Sequence, residues 1–222
     1  MQVIPAINCH LGDDDCVTKK INKIKSVADW VHLDIADGIF TYNKSWNNPN
    51  EWFKFNLGLN LEVHLMVEYP FESVKDWLKA GAKRVIVHWE AIKRESESLN
   101  KDLNIVVDEY LNLCNQYNAE LVLSICMETQ VDEIKSVLNK FKIIHVLAVY
   151  PGLSGQKFLP EALCKIKYLK SLKSDLIIEV DGGINPEIAL KIKQFGGDIA
   201  ISGHYLFKNN NFEKAFNELV NI

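Results

Sequence analysis

No Cys-x-x-Cys pair occurs among the 222 residues, no apolar run approaches the ~20 residues of a membrane span, and neither sign of charge dominates. The five cysteines (Cys9, Cys16, Cys114, Cys126, Cys164) are odd in number and widely spaced. Neither a disulfide framework nor a zinc ribbon is therefore expected, and a reducing cytoplasm fits best. Cys126 and Cys164 read as small core residues. The net charge of −4, with Lys and Arg scattered along the chain, argues against a nucleic-acid or membrane-surface partner. Met1 leads directly into strand-like "VIPAIN", so no targeting segment is expected. No linker, low-complexity tract or repeat divides the chain, and one domain over residues 1–222 is the expectation.

What is present is an alternation. Eight β-rich runs are separated by polar turns and amphipathic stretches: 3–8, 30–37, 61–67, 84–90, 120–127, 143–150, 176–183 and 198–207. Val17, Ile21, Ile24 and Val27 recur at helical spacing, as do Val74, Trp77 and Leu78 in the third helix, which stops at Gly81. The seventh helix opens at Asn185-Pro186 and stops at Gly196-Gly197. The stretch 41–60 has room for a short helix only. Eight β-α units without a Gly-x-Gly-x-x-Gly after the first strand favour an α/β fold of the (β/α)8, or TIM-barrel, type over a doubly wound sheet.

"VHLDIADGIF" (31–40) places an imidazole and a carboxylate, His32 and Asp34, on one face of an otherwise apolar strand. A hydrogen-bonded polar pair is the plain explanation. His64, His88 and Asp181, however, end three further strands, and in a barrel these ends converge on one mouth. Several buried polar groups in one place cost free energy unless they are paired or hold a metal, and this N/O set suits Zn²⁺, Fe²⁺, Mn²⁺ or Co²⁺. "VDGGI" (180–184), with Gly182 and Gly183, and Gly203 in "ISGHYLF" could bind phosphate through backbone N–H groups. "YPGLSGQKF" (150–158), with Gly152 and Gly155, could form a lid.

These motifs, in this order, resemble the ribulose-phosphate 3-epimerase family over nearly the full chain. "HLDIADGIF", "HLMVEYP", "HWE", "YPGLSGQKF" and "VDGGI" each match a family pattern. The resemblance implies a ribulose-phosphate-binding TIM barrel that interconverts D-ribulose 5-phosphate and D-xylulose 5-phosphate. It implies one divalent metal on His32, Asp34, His64 and Asp181. Asp34 and Asp181 would exchange protons at C3 on opposite faces of an enediolate, while Met66 covers the reacting carbon. It also implies a homo-oligomer.

The chain departs from the family around the substrate. Ala6 stands in place of a serine, Ala36 and Ala148 in place of methionines, Tyr150 in place of the lid asparagine, and His204 in place of the eighth-strand serine. Such a pocket could suit a six-carbon ketose phosphate of the allulose 6-phosphate type. A barrel that has lost turnover, and a metal-free lyase, are the readings outside this enzyme class. Trp46, Trp52 and residues 47–50 read as loop cover or a subunit contact, and "KRESES" (93–98) as a solvated loop. His145 reads as structural and remote from the mouth. His10 and His88 are left open as substrate contacts.

Overall fold

The computed structural model describes residues 1–55 and 58–222. Eight parallel strands, β1 (Gln2–Ile7), β2 (Trp30–Ala36), β3 (Asn60–Met66), β4 (Arg84–His88), β5 (Glu120–Ile125), β6 (Ile143–Leu147), β7 (Ile177–Asp181) and β8 (Ile199–Ser202), close in sequence order into a barrel. The helices are α1 (Asp14–Ile24), α2 (Pro49–Phe55), α3 (Pro70–Lys79), α4 (Trp89–Leu99), α5 (Leu103–Gln116), α6 (Ala162–Leu172), α7 (Pro186–Gln194), α8 (His204–Lys208) and α9 (Phe212–Val220). Two short 3-10 turns, Val131–Ile134 and Leu138–Lys140, replace a helix between β5 and β6. Residues 56 and 57, within the stretch expected to hold a short helix, lie outside the described residues.

The strands are Val/Ile/Leu-rich because both of their faces are covered. Outward side chains such as Val31, Leu33 and Ile35 on β2 join the main core with Val17, Ile21 and Ile24 of α1 and Val74 and Trp77 of α3. Inward apolar side chains form small plugs, Ile4 with Ile199 and Ile201, and Ile86 with Val122 and Ile143. Several of the other inward positions are polar and buried: His32, Glu62, His64, His88, Ser124, His145 and Glu179. Local chemistry sets the helix ends. Asp13 accepts from the Cys16 N–H at the start of α1, Asn185 accepts from Ile188 N at the start of α7, and Gly81 follows α3 with φ +96°.

Several expectations are corrected here. "KRESES" belongs to α4, because Trp89, Ile92 and Ser96 share its core face; Glu95 is buried and accepts the Tyr110 hydroxyl, while Lys93 and Arg94 pair outward with Glu133 and Glu68. Trp46 and Trp52 are buried in the core of this chain, with Trp46 Nε1 donating to Asp14, so neither is a subunit contact. The eighth strand ends at Ser202, and the aromatic run after it turns into α8, burying Leu206. Cys164 is exposed rather than in the core, whereas Cys126 is buried. Cys9 and Cys16 form a disulfide, brought to a Cα separation of 6.0 Å by the turn between β1 and α1. Cysteine spacing alone therefore does not decide the redox compartment. No helix among the described residues is long and apolar enough to cross a membrane.

Candidate active site at the barrel mouth

Parallel pairing in register delivers the polar side chains to one level. Asp34 on β2 stands beside His64 on β3, and His32 stands beside Ala6 on β1. Asp181 arrives at the end of β7. His32, Asp34, His64 and Asp181 each offer a ligand atom, and these four atoms lie within 4.8 Å of one another. Asp34 Oδ1 is 3.0 Å from His64 Nδ1 and 3.3 Å from His32 Nε2, while Asp181 Oδ2 is 3.8 and 3.9 Å from the same two nitrogens. The N/O donor set and its spacing fit a divalent cation.

Outer partners aim these groups. His32 turns Nδ1 to Glu62 Oε1 at 2.8 Å, which leaves Nε2 facing the centre. Glu62 in turn meets Arg84 at 3.1 Å, and Arg84 reaches Glu120 at 3.2 Å and approaches Glu179 at 3.8 Å. His64 Nε2 is 2.8 Å from His88 Nε2, and His88 Nδ1 is 3.2 Å from Glu90. His88 thus touches a member of the centre from behind. His145 also differs from its expected place: it is buried, shares a hydrogen bond between Nδ1 and the Ser124 hydroxyl at 2.9 Å, and brings Nε2 to 3.8 Å from Asp181. It fills the barrel beneath the centre because residue 145 shares its strand face with 143 and 147.

The two carboxylates are held in different protonation states. Burial alone would raise the Asp34 pKa, but the contacts with His32 and His64 overcome it and hold the carboxyl well below the usual range. Asp181 is pushed up to about 7, by burial first and then by the charge of Asp34. Burial also lowers His64 to about 4 and keeps His145 neutral. For His32 burial acts downward, yet the hydrogen bonds with Asp34 and Glu62 raise its pKa well above the ordinary value. The pair is therefore split: Asp34 stays ionised while Asp181 gains and loses its proton near pH 7, a difference suited to acid and base roles in one site.

A cavity of about 940 Å³ opens above the centre. Asp34, His64, Met66 and Asp181 line its floor, and Gly152, Gly155, Gly182, Gly183, Gly203 and His204 line its walls. Ala6 and Tyr150 line it as well. Ala36 and Ala148 do not: strand alternation turns Ala148 into the outer core and presents Leu147 and Val149 to the cavity instead. His10 is exposed and outside the cavity, paired through its backbone with Ser45. Gly183 has φ +69°, and a Cβ there would collide with the Phe158 backbone, so the glycine lets the lid base approach the end of β7.

Two residues of the site were not singled out in the sequence. Asn8 donates to Asp34 Oδ2 at 3.3 Å and to the Gly152 carbonyl at 3.2 Å, linking the centre to the 150–158 loop. Lys20, on α1, donates to the Asn8 carbonyl at 2.7 Å and lines the cavity. A polar residue right after the buried run "VIPAI" was the signal available for Asn8. For Lys20 there was none, since one lysine on a helix carries no mark of the cavity it faces.

A closed parallel barrel that collects imidazoles and unequal carboxylates under a glycine-walled cavity, at the C-terminal ends of its strands, is built as an enzyme of the TIM-barrel class. The model of the ribulose-phosphate 3-epimerase family matches residues 10–207. The chain is 31% identical over 208 residues to a ribulose-phosphate 3-epimerase of Chlamydia trachomatis, covering 90% of this chain and 84% of that one. It is 32% identical to that of Bacillus subtilis, covering 89% and 90%. The chain belongs to the ribulose-phosphate 3-epimerase family, and with it to the isomerases. Among solved structures, 3-hexulose-6-phosphate synthase from Salmonella typhimurium superposes with a TM-score of 0.69 at 13% identity, over 100% of this chain and 97% of that one. The 3-keto-L-gulonate-6-phosphate decarboxylase from Vibrio cholerae gives 0.68 at 14%, over 100% and 95%. At such identity these two likenesses concern the fold alone.

Proposed function

We propose that this protein interconverts D-ribulose 5-phosphate and D-xylulose 5-phosphate by inverting C3, with Asp34 and Asp181 as the two proton-transfer groups. The observation that carries this reading is the pair of carboxylates, Asp34 from β2 and Asp181 from β7, that reach a single centre together with the imidazoles of His32 and His64. Asp34 removes the C3 proton from one face of the sugar. The planar enediolate left behind accepts a proton on the other face from Asp181, and the reverse reaction exchanges the roles. His32 and His64 line the centre without adding negative charge. A divalent cation held by His32, Asp34, His64 and Asp181 would supply Lewis-acid stabilisation of the sugar oxygens next to the reacting carbon.

Backbone N–H groups of the Gly182-Gly183 and Gly203-His204 turns suit the phosphate, and Lys20 adds a cation to the same cavity. Burial draws the Lys20 pKa down, while Asp34 and Asp13 oppose the shift. Lys20→Met is expected to raise KM for the pentulose phosphate about 10- to 100-fold with little change in kcat, as loss of one charge-assisted phosphate contact requires. Steady-state assays with both parameters resolved check this; an unchanged KM would remove Lys20 from the phosphate site. Because Ala148 faces the outer core, it gives no added room for a larger sugar.

The test of the function is solvent-deuterium incorporation at C3 of D-ribulose 5-phosphate, followed by NMR in protein loaded in turn with Fe²⁺, Mn²⁺, Co²⁺ and Zn²⁺. Exchange with xylulose 5-phosphate formation, abolished in Asp181→Asn, is the expected result. Absence of exchange with every metal would refute the assignment.

A further inference from the structure

The carboxylate of Glu90 lies outside the reacting centre yet is held with unusual completeness. Its Oε1 accepts from the Cys126 backbone N–H at 2.9 Å and from the Thr129 hydroxyl, while Oε2 faces His88 Nδ1 at 3.2 Å. Burial acts to raise its pKa, and the contacts with His88, Thr129 and Cys126 override this, keeping it ionised with a pKa of about 2. An ionised carboxylate can only accept, so His88 must carry its proton on Nδ1. In the neutral imidazole His88 Nε2 is then a lone pair, and the His64 nitrogen 2.8 Å away is the donor. With the proton of His64 on Nε2, its Nδ1 presents a lone pair to the centre.

We propose that Glu90 and His88 are positioning residues that set the tautomer of His64, so that its Nδ1 is delivered as a ready-made ligand to a divalent cation. This rests on the metal reading given above. At the other end of the chain of contacts His64 Nδ1 faces the reacting centre, 3.0 Å from Asp34 Oδ1, so its protonation decides whether it donates to Asp34 or offers a lone pair to a cation. Glu62 performs the matching task for His32, so each imidazole is locked by a buried carboxylate, one directly and one through a second imidazole.

Cys126 is the rival partner, because its Sγ is 3.4 Å from His88 Nδ1, and a thiol donating there would reverse every tautomer in the chain. The adjacent carboxylate makes that arrangement repulsive. Glu90→Gln discriminates between the two. The Cys126 N–H is an obligatory donor and keeps the amide oxygen of the glutamine on its side. The amide NH₂ must then face His88 Nδ1, which forces the His88 proton to Nε2 and the His64 proton to Nδ1, where it blocks ligation.

The experiment measures two things in chelator-treated full-length protein. Long-range ¹H–¹⁵N spectra of labelled histidines report the His64 tautomer directly and need no variant. Competition with a chromogenic chelator then gives the Zn²⁺ affinity of wild type, Glu90→Gln and Cys126→Ala. Expected are a His64 protonated on Nε2 in the wild type, a 10- to 100-fold loss of affinity in Glu90→Gln, and a change within about threefold in Cys126→Ala. A His64 protonated on Nδ1 in the wild type would overturn the proposal, as would unaltered Zn²⁺ affinity in folded Glu90→Gln. A wild type that binds no Zn²⁺ would instead refute the metal reading, and the tautomer spectrum would still decide the relay.

Discussion

Asp34→Asn is expected to lower the rate of C3 proton exchange by at least about 10⁴-fold, the upper end of what one general acid–base group contributes, because the substitution removes two functions at once. The amide has almost the shape of the carboxylate but no basic oxygen, so the proton on one face of the sugar has no acceptor. It also takes a charge from the four-ligand cluster, leaving Asp181 as its remaining carboxylate. The fold should tolerate the change, since Asp34 is held by His32, His64 and Asn8 rather than by packing. Deuterium exchange, metal content and thermal melting on the same preparation check all three statements. Retention of more than a tenth of the wild-type exchange rate would dismiss Asp34 as the base. Loss of activity accompanied by unfolding would assign it a structural role instead.

Arg84→Met is expected to destabilise the metal-free protein by about 3–5 kcal/mol, the usual consequence of leaving buried charges without their counter-ion. For a domain of this size that corresponds to a fall in Tm of roughly 6–20 °C. Arg84 is the cation among three glutamates, and both Glu62 and Glu179 have fully buried side chains. Its guanidinium also lies 4.2 Å from the centre of the Trp30 ring, so methionine replaces the packing but not the charge. Burial acts to raise the Glu62 pKa, but His32 and Arg84 overcome it and hold the group below its ordinary value. Glu179 is raised well above its ordinary value, by burial and then by Glu62, and neither of its oxygens has a hydrogen-bond partner among the described residues.

These opposite shifts fix the sign of the pH dependence. The depressed Glu62 contributes stability above its unfolded value of about 4.5 that is lost as the pH falls through its folded value. The raised Glu179 does the reverse: the unfolded chain gives up this proton above about 4.5 while the folded chain retains it, so its contribution is lost as the pH rises. Removing Arg84 favours protonation of both in the folded state. The deficit of the variant should therefore grow from about pH 4.5 upward and shrink below it, and urea melts at pH 4.5 and pH 8 measure the difference. A deficit independent of pH would mean that Arg84 acts through packing on Trp30 alone.

The legible part of this protein was the part written as local pattern. Strand-length apolar runs, helix caps at Asn185 and the glycine after α3 made the eightfold alternation visible, since each depends on neighbours a few residues away. A parallel barrel brings every strand's C-terminal end to one mouth, which groups His32, Asp34, His64, His88 and Asp181, and the family resemblance narrows these to His32, Asp34, His64 and Asp181. The second ring of groups was not legible. Glu62, Arg84 and Glu179 sit on three strands, and nothing along the chain distinguishes them from surface charges. "KRESES" reads as a loop because its charges are continuous in sequence, whereas α4 turns Lys93, Arg94 and Glu97 outward and buries Glu95 against Tyr110.

Chain order and residue type were thus enough for the barrel and for the four convergent groups, because periodicity and strand direction follow from backbone geometry. Closure of the barrel settled the rest: that His145 lies beneath the centre, that Ala148 faces away from the cavity, that Cys9 meets Cys16, and that His88 lies between Glu90 and His64. Each of these is a contact, or a choice of face, set by strand register and by the turns that join the strands. A shift of one residue in that register would send strand side chains such as His145 and His64 to the opposite face.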